Sequence, residues 1–110
     1  MTLYPLGYTV NVVKIKKTDI FQKWLDGLKD HSGRSRILAR IARFSEGNAG
    51  DVKPVGSGVS EMRIPIGPGY RSYYYYELED TIVLLNGGDK KTQKRDIKKA
   101  IEIANELRGL

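Results

Sequence analysis

The sequence predicts an α+β fold: an N-terminal β-strand and helical hairpin, then a four-strand antiparallel meander and a C-terminal helix, in a single domain over residues 1–110. Three observations carry this expectation. Apolar residues recur at helical spacing from Ile20 to Phe44, the period changes to two between Val52 and Leu85, and helical spacing returns from about Thr92 to Leu107. Strands joined by tight turns form a meander, and helices grouped at the two ends of the chain are expected to cover one face of it.

Each element follows from its own residues. Tyr8 to Ile15 reads as a strand, with Tyr8, Val10 and Val12 on one face and Val13 and Ile15 on the other. Thr18 or Asp19 supplies an N-cap, and Ile20, Phe21, Trp24, Leu25 and Leu28 form the stripe of a helix to about Asp30. The chain restarts at Ser32 or Gly33, after His31 in the turn. Ile37, Leu38, Ile41, Ala42 and Phe44 then mark a second helix, which Gly47, Asn48 and Gly50 terminate. Val52 to Val55 is a short strand, followed by a turn at Gly56-Ser57-Gly58. Val59 to Ile66 alternates, Gly67-Pro68-Gly69 is a hairpin turn, and Tyr70 to Leu78 is the next strand. Thr81 to Leu85 is the last strand, broken by Asn86-Gly87-Gly88-Asp89. Ile97, Ala100, Ile101, Ala104 and Leu107 are the stripe of the final helix.

Composition narrows the functions. Nineteen Lys and Arg against thirteen Asp and Glu give a formal charge of +6, a field that draws polyanions such as nucleic acid or an acidic protein partner. The absence of Cys excludes disulfide and thiol chemistry, and one His argues against a His-rich metal site. No apolar run approaches a membrane span, and the N-terminal stretch, broken by Asn11 and followed by Lys14, Lys16 and Lys17, does not read as a signal peptide. A cytoplasmic protein is expected, with no cofactor and no metal.

The most informative segment is Glu61 to Tyr76, EMRIPIGPGYRSYYYY. A three-residue loop at Gly67–Gly69 would pair Ile66 with Tyr70 and Arg63 with Tyr73. That register sets Arg63, Arg71, Tyr73 and Tyr75 on one face, and Met62, Ile64, Ile66, Ser72, Tyr74 and Tyr76 on the face toward the helices. Guanidinium groups grip phosphate with paired hydrogen bonds, and an open tyrosine stacks on a base with roughly 1–3 kcal/mol. The plainer alternative is that Arg63 bridges Glu61 or Glu77 and that the tyrosines are strand formers. A second segment, NGGDKKTQ, sets Lys90 and Lys91 beside the N-terminus of the last helix, where backbone N–H groups favour anions. Alternatively Asp89 or Thr92 simply caps that helix. Arg34, Arg36, Arg40 and Arg43 form a helical face that is either solvated or in reach of phosphates; Arg40 and Arg43 are the candidates for RNA contact. Asp19, Asp26 and Asp30 read as capping or surface residues.

The run GVSEMRIPIGPGYRSYYY, followed by IVLLNGGDKKTQKRDIKKA, resembles the phage Gp49-like, or addiction-module-killer, branch of the RelE/ParE toxins, near HigB-type proteins. The upstream segment FQKWLDGLKDHSGRSRILARIARFSEGNAGDVKPV fits the same pattern, so the likeness spans about residues 8 to 107. The resemblance implies a RelE-like sheet packed by an N-terminal helical hairpin. It implies the toxin of a type II toxin–antitoxin system: a metal-independent endoribonuclease that acts on mRNA in the ribosome by 2′-hydroxyl attack. A cognate antitoxin is the implied protein partner, with the toxin a monomer or antitoxin-bound. Arg63, Arg71 and Lys90 correspond to the family's basic residues, with Tyr73 as a further catalytic candidate and Lys91 and Tyr75 as RNA contacts. Several relatives use a tyrosine near the C-terminus as base. No tyrosine follows Tyr76 here, and the corresponding position falls near Asp96, leaving Asp96, Glu61 or Tyr73 for that role. Two other readings fit the same resemblance: a ParE-like poison that binds gyrase, and a non-catalytic relative that only holds an antitoxin.

Overall fold

The computed structural model describes residues 12–110. The elements run β1 (Lys14–Lys17), α1 (Asp19–Asp26), α2 (His31–Ser45), β2 (Val52–Gly56), β3 (Val59–Ile64), β4 (Tyr70–Leu78), β5 (Thr81–Gly88) and α3 (Gln93–Leu107). The α+β order expected from the sequence is the order observed. Of the first expected strand, residues 8–11 lie outside the described residues; the strand observed runs from Lys14 to Lys17 and pairs in parallel with β5. The four later strands form the antiparallel meander, so the sheet is five-stranded and mixed, in the order β1-β5-β4-β3-β2.

The helical hairpin is capped at both starts. Thr18 accepts a hydrogen bond from Phe21 N at 3.0 Å, and the Asp30 carboxylate accepts one from Gly33 N at 2.9 Å. Asp30 is therefore the N-cap of α2 and not the tail of α1, which stops at Asp26; His31 is the first residue of α2 and not part of the turn. The Asp30 carboxylate sits below the usual carboxylate range, first because of the Gly33 N–H and then because the Tyr70 hydroxyl donates to it at 2.7 Å. Gly33 is required by that contact: a Cβ there would overlap the Tyr70 ring.

The helices do not all cover one face. α1 and α2 pack Phe21, Leu25, Ile37 and Phe44 on Met62, Ile64, Tyr70, Tyr74, Ile82 and Leu84. α3 packs Ala100, Ile103 and Ala104 on Val59, Tyr73, Tyr75, Val83 and Leu85 on the opposite face. The reason lies in β4 and β5. Thr81–Asn86 is buried without interruption, and a strand with apolar groups on both faces needs cover on both. Tyr76 shares the face of Tyr74, but it is 51% exposed, with its ring tilted against Phe44 at the edge of the core.

Two details of the strands depart from expectation. β3 ends at Ile64, not Ile66, because Pro65 has no N–H for the ladder; Ile64 pairs with Tyr70 and Arg63 with Arg71. This shift of two residues keeps every side chain on its expected face. β5 continues through Asn86, Gly87 and Gly88 instead of breaking there. Its glycines serve close packing on opposite sides: a Cβ on Gly87 would overlap the Trp24 ring of α1, and one on Gly88 would overlap the Asp96 carboxylate of α3.

Candidate functional site

Arg63, Arg71 and Lys90 come together. They line one open cleft of about 460 Å³ with Asp51, Ile64, Pro65, Tyr70 and the glycines of the β3–β4 connection. Each arrives from a different backbone constraint. Arg63 and Arg71 are directly opposite on neighbouring antiparallel strands. Gly67 and Gly69 have positive φ (52° and 77°), which folds the connection back and turns its carbonyls toward neighbouring donors. One of these, Gly69 O, accepts from Arg71 Nη1 at 2.6 Å. The end of β5 then brings Lys90 alongside, where its backbone N–H meets Pro68 O at 3.4 Å.

Two like charges facing each other across a strand pair need a counter-charge. Glu61 supplies it from within: it is 1% exposed, with Oε2 3.6 Å from Arg71 Nε and Oε1 4.0 Å from Arg63 Nε. Gln93 of α3 donates to Glu61 Oε2 at 2.9 Å. Asp51 holds the other end of Arg63, with Nη2–Oδ1 at 3.0 Å. Among the described residues Asp51 is the only carboxylate lining the cleft, and no sequence motif marks it, since it simply precedes β2. The arrangement can bind an anion through the guanidinium ends and the Lys90 ammonium while keeping the arginines anchored from behind.

Tyr73 and Tyr75 lie elsewhere. Tyr73 is fully buried and Tyr75 is 4% exposed, both beneath α3, so neither offers a ring for a base to stack on. They do share the face of the two arginines, but α3 covers that face from Tyr73 onward. The Tyr73 hydroxyl is buried beside the Glu61 carboxylate, without a hydrogen bond of ordinary geometry among the described residues. Burial, then the negative charges of Glu61 and Asp96, raise its pKa well above the ordinary tyrosine value, which keeps it a neutral phenol. Asp96 is also buried, at 7% exposure; its Oδ2 accepts from Thr92 Oγ1 and its backbone carbonyl accepts from Asn86 Nδ2 at 3.0 Å. None of Tyr73, Glu61 and Asp96 lines the cleft.

The remaining candidates divide by surroundings. Lys91 is exposed beside a second cleft of about 420 Å³ with Lys90, Gln93, Lys94 and Arg95. Asp89 caps this turn, its Oδ1 accepting from Lys91 N at 2.9 Å and Thr92 N at 3.3 Å. Arg40 is a structural tie: it donates to Arg63 O at 2.5 Å, Ala49 O at 3.1 Å and Asp51 O at 3.4 Å. Burial, then the charge of Arg43, holds its guanidinium below the usual arginine range. Arg43 is exposed on α2. Among the described residues no group of three His, Cys, Asp or Glu side chains could hold a metal ion, and no helix is long and apolar enough to cross a membrane.

Residues 23–108 match the family described as phage derived protein Gp49-like (DUF891). An uncharacterized protein of Haemophilus influenzae is 45% identical over 95 residues, which cover 86% of this chain and 96% of that protein. Among solved structures, the toxin-antitoxin complex RelBE2 of Mycobacterium tuberculosis is similar at a TM-score of 0.48 and 23% identity, covering 72% of this chain and 92% of that one.

Proposed function

The chain belongs to the phage-derived Gp49-like (DUF891) family, and on that premise we propose that it is the toxin of a type II toxin–antitoxin pair, cutting ribosome-bound mRNA in the cytoplasm without a metal. The observation that carries this reading is the convergence of Arg63, Arg71 and Lys90 on one open cleft. Three cations around a space that admits a phosphodiester suit a reaction whose transition state gathers negative charge on phosphorus oxygens.

The chemistry is internal transesterification. The RNA 2′-oxygen forms a bond to the adjacent phosphorus as its proton leaves, the bond from phosphorus to the 5′-oxygen breaks, and that oxygen takes up a proton. The products are a 2′,3′-cyclic phosphate and a 5′-hydroxyl. Arg63 and Arg71 stabilise the charge on the non-bridging oxygens, and Lys90 protonates the leaving oxygen. Asp51, as the carboxylate facing the cleft, takes the 2′-proton. Arginine stays protonated and cannot serve as that base. Lys91, and Arg43 at greater distance, extend the basic surface for flanking phosphates. The family resemblance supplies the ribosome and a cognate antitoxin as partners.

The test is induction of the chain alone in cells, with 5′-ends of mRNA mapped across the transcriptome. Growth arrest with new internal 5′-ends is expected, and both should vanish in the Arg63→Ala/Arg71→Ala double variant. Full toxicity and unchanged cleavage from a folded double variant would refute this site. DNA breaks with intact mRNA would replace the reading with gyrase poisoning.

A further inference from the structure

We infer that Glu61, tied to α3 through Gln93, is a positioning residue that fixes the spacing and aim of Arg63 and Arg71 without touching RNA; this rests on the ribonuclease reading above. Glu61 is 1% exposed and is absent from the lining of the cleft. A proton on a bound ribose therefore has no path to it. Yet its two oxygens face the inner edges of both guanidiniums, at 4.0 Å and 3.6 Å.

The geometry at the arginines gives this contact its meaning. The Nε atoms of Arg63 and Arg71 are both buried and have no hydrogen-bond partner among the described residues. Their Nη groups point elsewhere, to Asp51 Oδ1 and to Gly69 O. Each guanidinium thus turns its back to one shared carboxylate and its front to the cleft. Without the negative charge, two cations on directly opposed strand positions would repel and separate. A buried charge flanked by cations is held only while its partners stay in place, so the three groups constrain one another.

Gln93 adds the link to the helix. Its Nε2 reaches Glu61 Oε2 from the first turn of α3, immediately after the Lys90–Lys91 segment. The carboxylate thereby connects the strand pair that carries the arginines to the segment that carries the ammonium groups. Supports of this kind hold reactive groups within the narrow geometry that catalysis demands.

The test uses Glu61→Gln and Gln93→Met in the full chain. Two readouts are measured: cleavage of mRNA on programmed ribosomes across pH, and the NMR signals of the arginine Nε–H groups with and without a 2′-O-methyl oligoribonucleotide, which cannot be cut by internal attack. Glu61→Gln should cut more slowly at saturation by on the order of 10–100-fold, the range typical of outer supports of a site, with an unchanged pH profile. The protected Nε–H signals of Arg63 and Arg71 should shift and lose their slow exchange. Gln93→Met should move both readouts in the same direction by less, and it keeps the test open should Glu61→Gln fail to fold. Loss of the acid limb of the pH profile in Glu61→Gln would overturn the inference by making Glu61 the base. Unchanged rate and unchanged guanidinium signals would overturn it as well. A wild-type chain that leaves RNA intact sinks the ribonuclease reading instead; the guanidinium signals in the two variants then still decide whether Glu61 and Gln93 hold the arginines.

Discussion

Replacing Tyr73 with Phe separates packing from catalysis at the residue where the two readings differ most. The ring is fully buried against Ala100, Ile103 and Ala104 of α3, and its hydroxyl is desolvated beside the Glu61 carboxylate but outside ordinary hydrogen-bond geometry with it. A buried polar group left unpaired costs about 1–3 kcal/mol, so deleting only the hydroxyl should leave stability unchanged or raise it by up to about that amount. For a domain of this size, each 1 kcal/mol moves Tm by roughly 4–8 °C. Tyr73→Ala should behave oppositely, since emptying a large buried aromatic site costs about 3–5 kcal/mol. The assay is thermal and urea unfolding of the three proteins, alongside mRNA cleavage by those that fold. Tyr73→Phe should be at least as stable as wild type and should still cut. Loss of cleavage from a folded Tyr73→Phe, or its destabilisation by more than about 1 kcal/mol, would contradict the burial argument, since the mean net worth of a made hydrogen bond is of that size.

Other outcomes follow from the same structure. Gly87→Ala and Gly88→Ala should each cost about 1–3 kcal/mol by overpacking, against Trp24 and Asp96 respectively, measured by chemical denaturation; a neutral result would mean β5 has slack that the packing does not show. Arg40→Ala should lose about 1–3 kcal/mol by stranding the carbonyls of Arg63 and Ala49, whereas Arg43→Ala should leave stability alone and only flatten the salt dependence of RNA binding. The Asp30–Tyr70 pair gives a pH signature. Because the folded Asp30 carboxylate is depressed, its contribution is present above about pH 4 and is lost as pH falls through its folded value, so the stability gap between wild type and Asp30→Ala should narrow in acid, and again in strong alkali where Tyr70 ionises. Tyr70 is pushed up to about 12, by burial first and then by its hydrogen bond to Asp30. Its contribution is present below about pH 10 and is lost as pH rises through 12, which phenolate absorbance would follow. Asp51→Asn should lower the cleavage rate and flatten its acid limb without unfolding the chain; an unchanged limb would move the base elsewhere.

Most of the architecture was legible because hydrophobic period and turn chemistry are local. Thr18 as a cap, the glycines after α2 and the alternation of Val59–Ile64 each act within a few residues. Which side chains share a face of β3 and β4 was legible too, since a two-residue error in register leaves each side chain on the same face. What the sequence concealed was the second layer. Tyr73, Tyr75, Val83 and Leu85 are as apolar as Tyr74, Ile82 and Leu84, and that unalternating run signals a strand covered on both faces. Reading the helices as one layer left the tyrosines exposed on paper, beside the arginines, when α3 covers them. Gly87 and Gly88 misled for a related reason: a glycine pair resembles a turn, but here each glycine makes room for a neighbour distant in sequence. Within the site, Arg63, Arg71 and Lys90 were visible as residue types on consecutive elements. Asp51 was not, because only the fold brings the start of β2 beside the Pro65–Gly69 connection.

The chemical identity of the cut ends tests the cleft most directly. Mass spectrometry of a short mRNA incubated with programmed ribosomes and the purified chain should find a 2′,3′-cyclic phosphate, or the 3′-phosphate from its hydrolysis, on one fragment and a 5′-hydroxyl on the other. RNA left whole, or fragments ending in 5′-phosphate and 3′-hydroxyl, would mean that Arg63, Arg71 and Lys90 do not assist attack by the RNA's own 2′-oxygen.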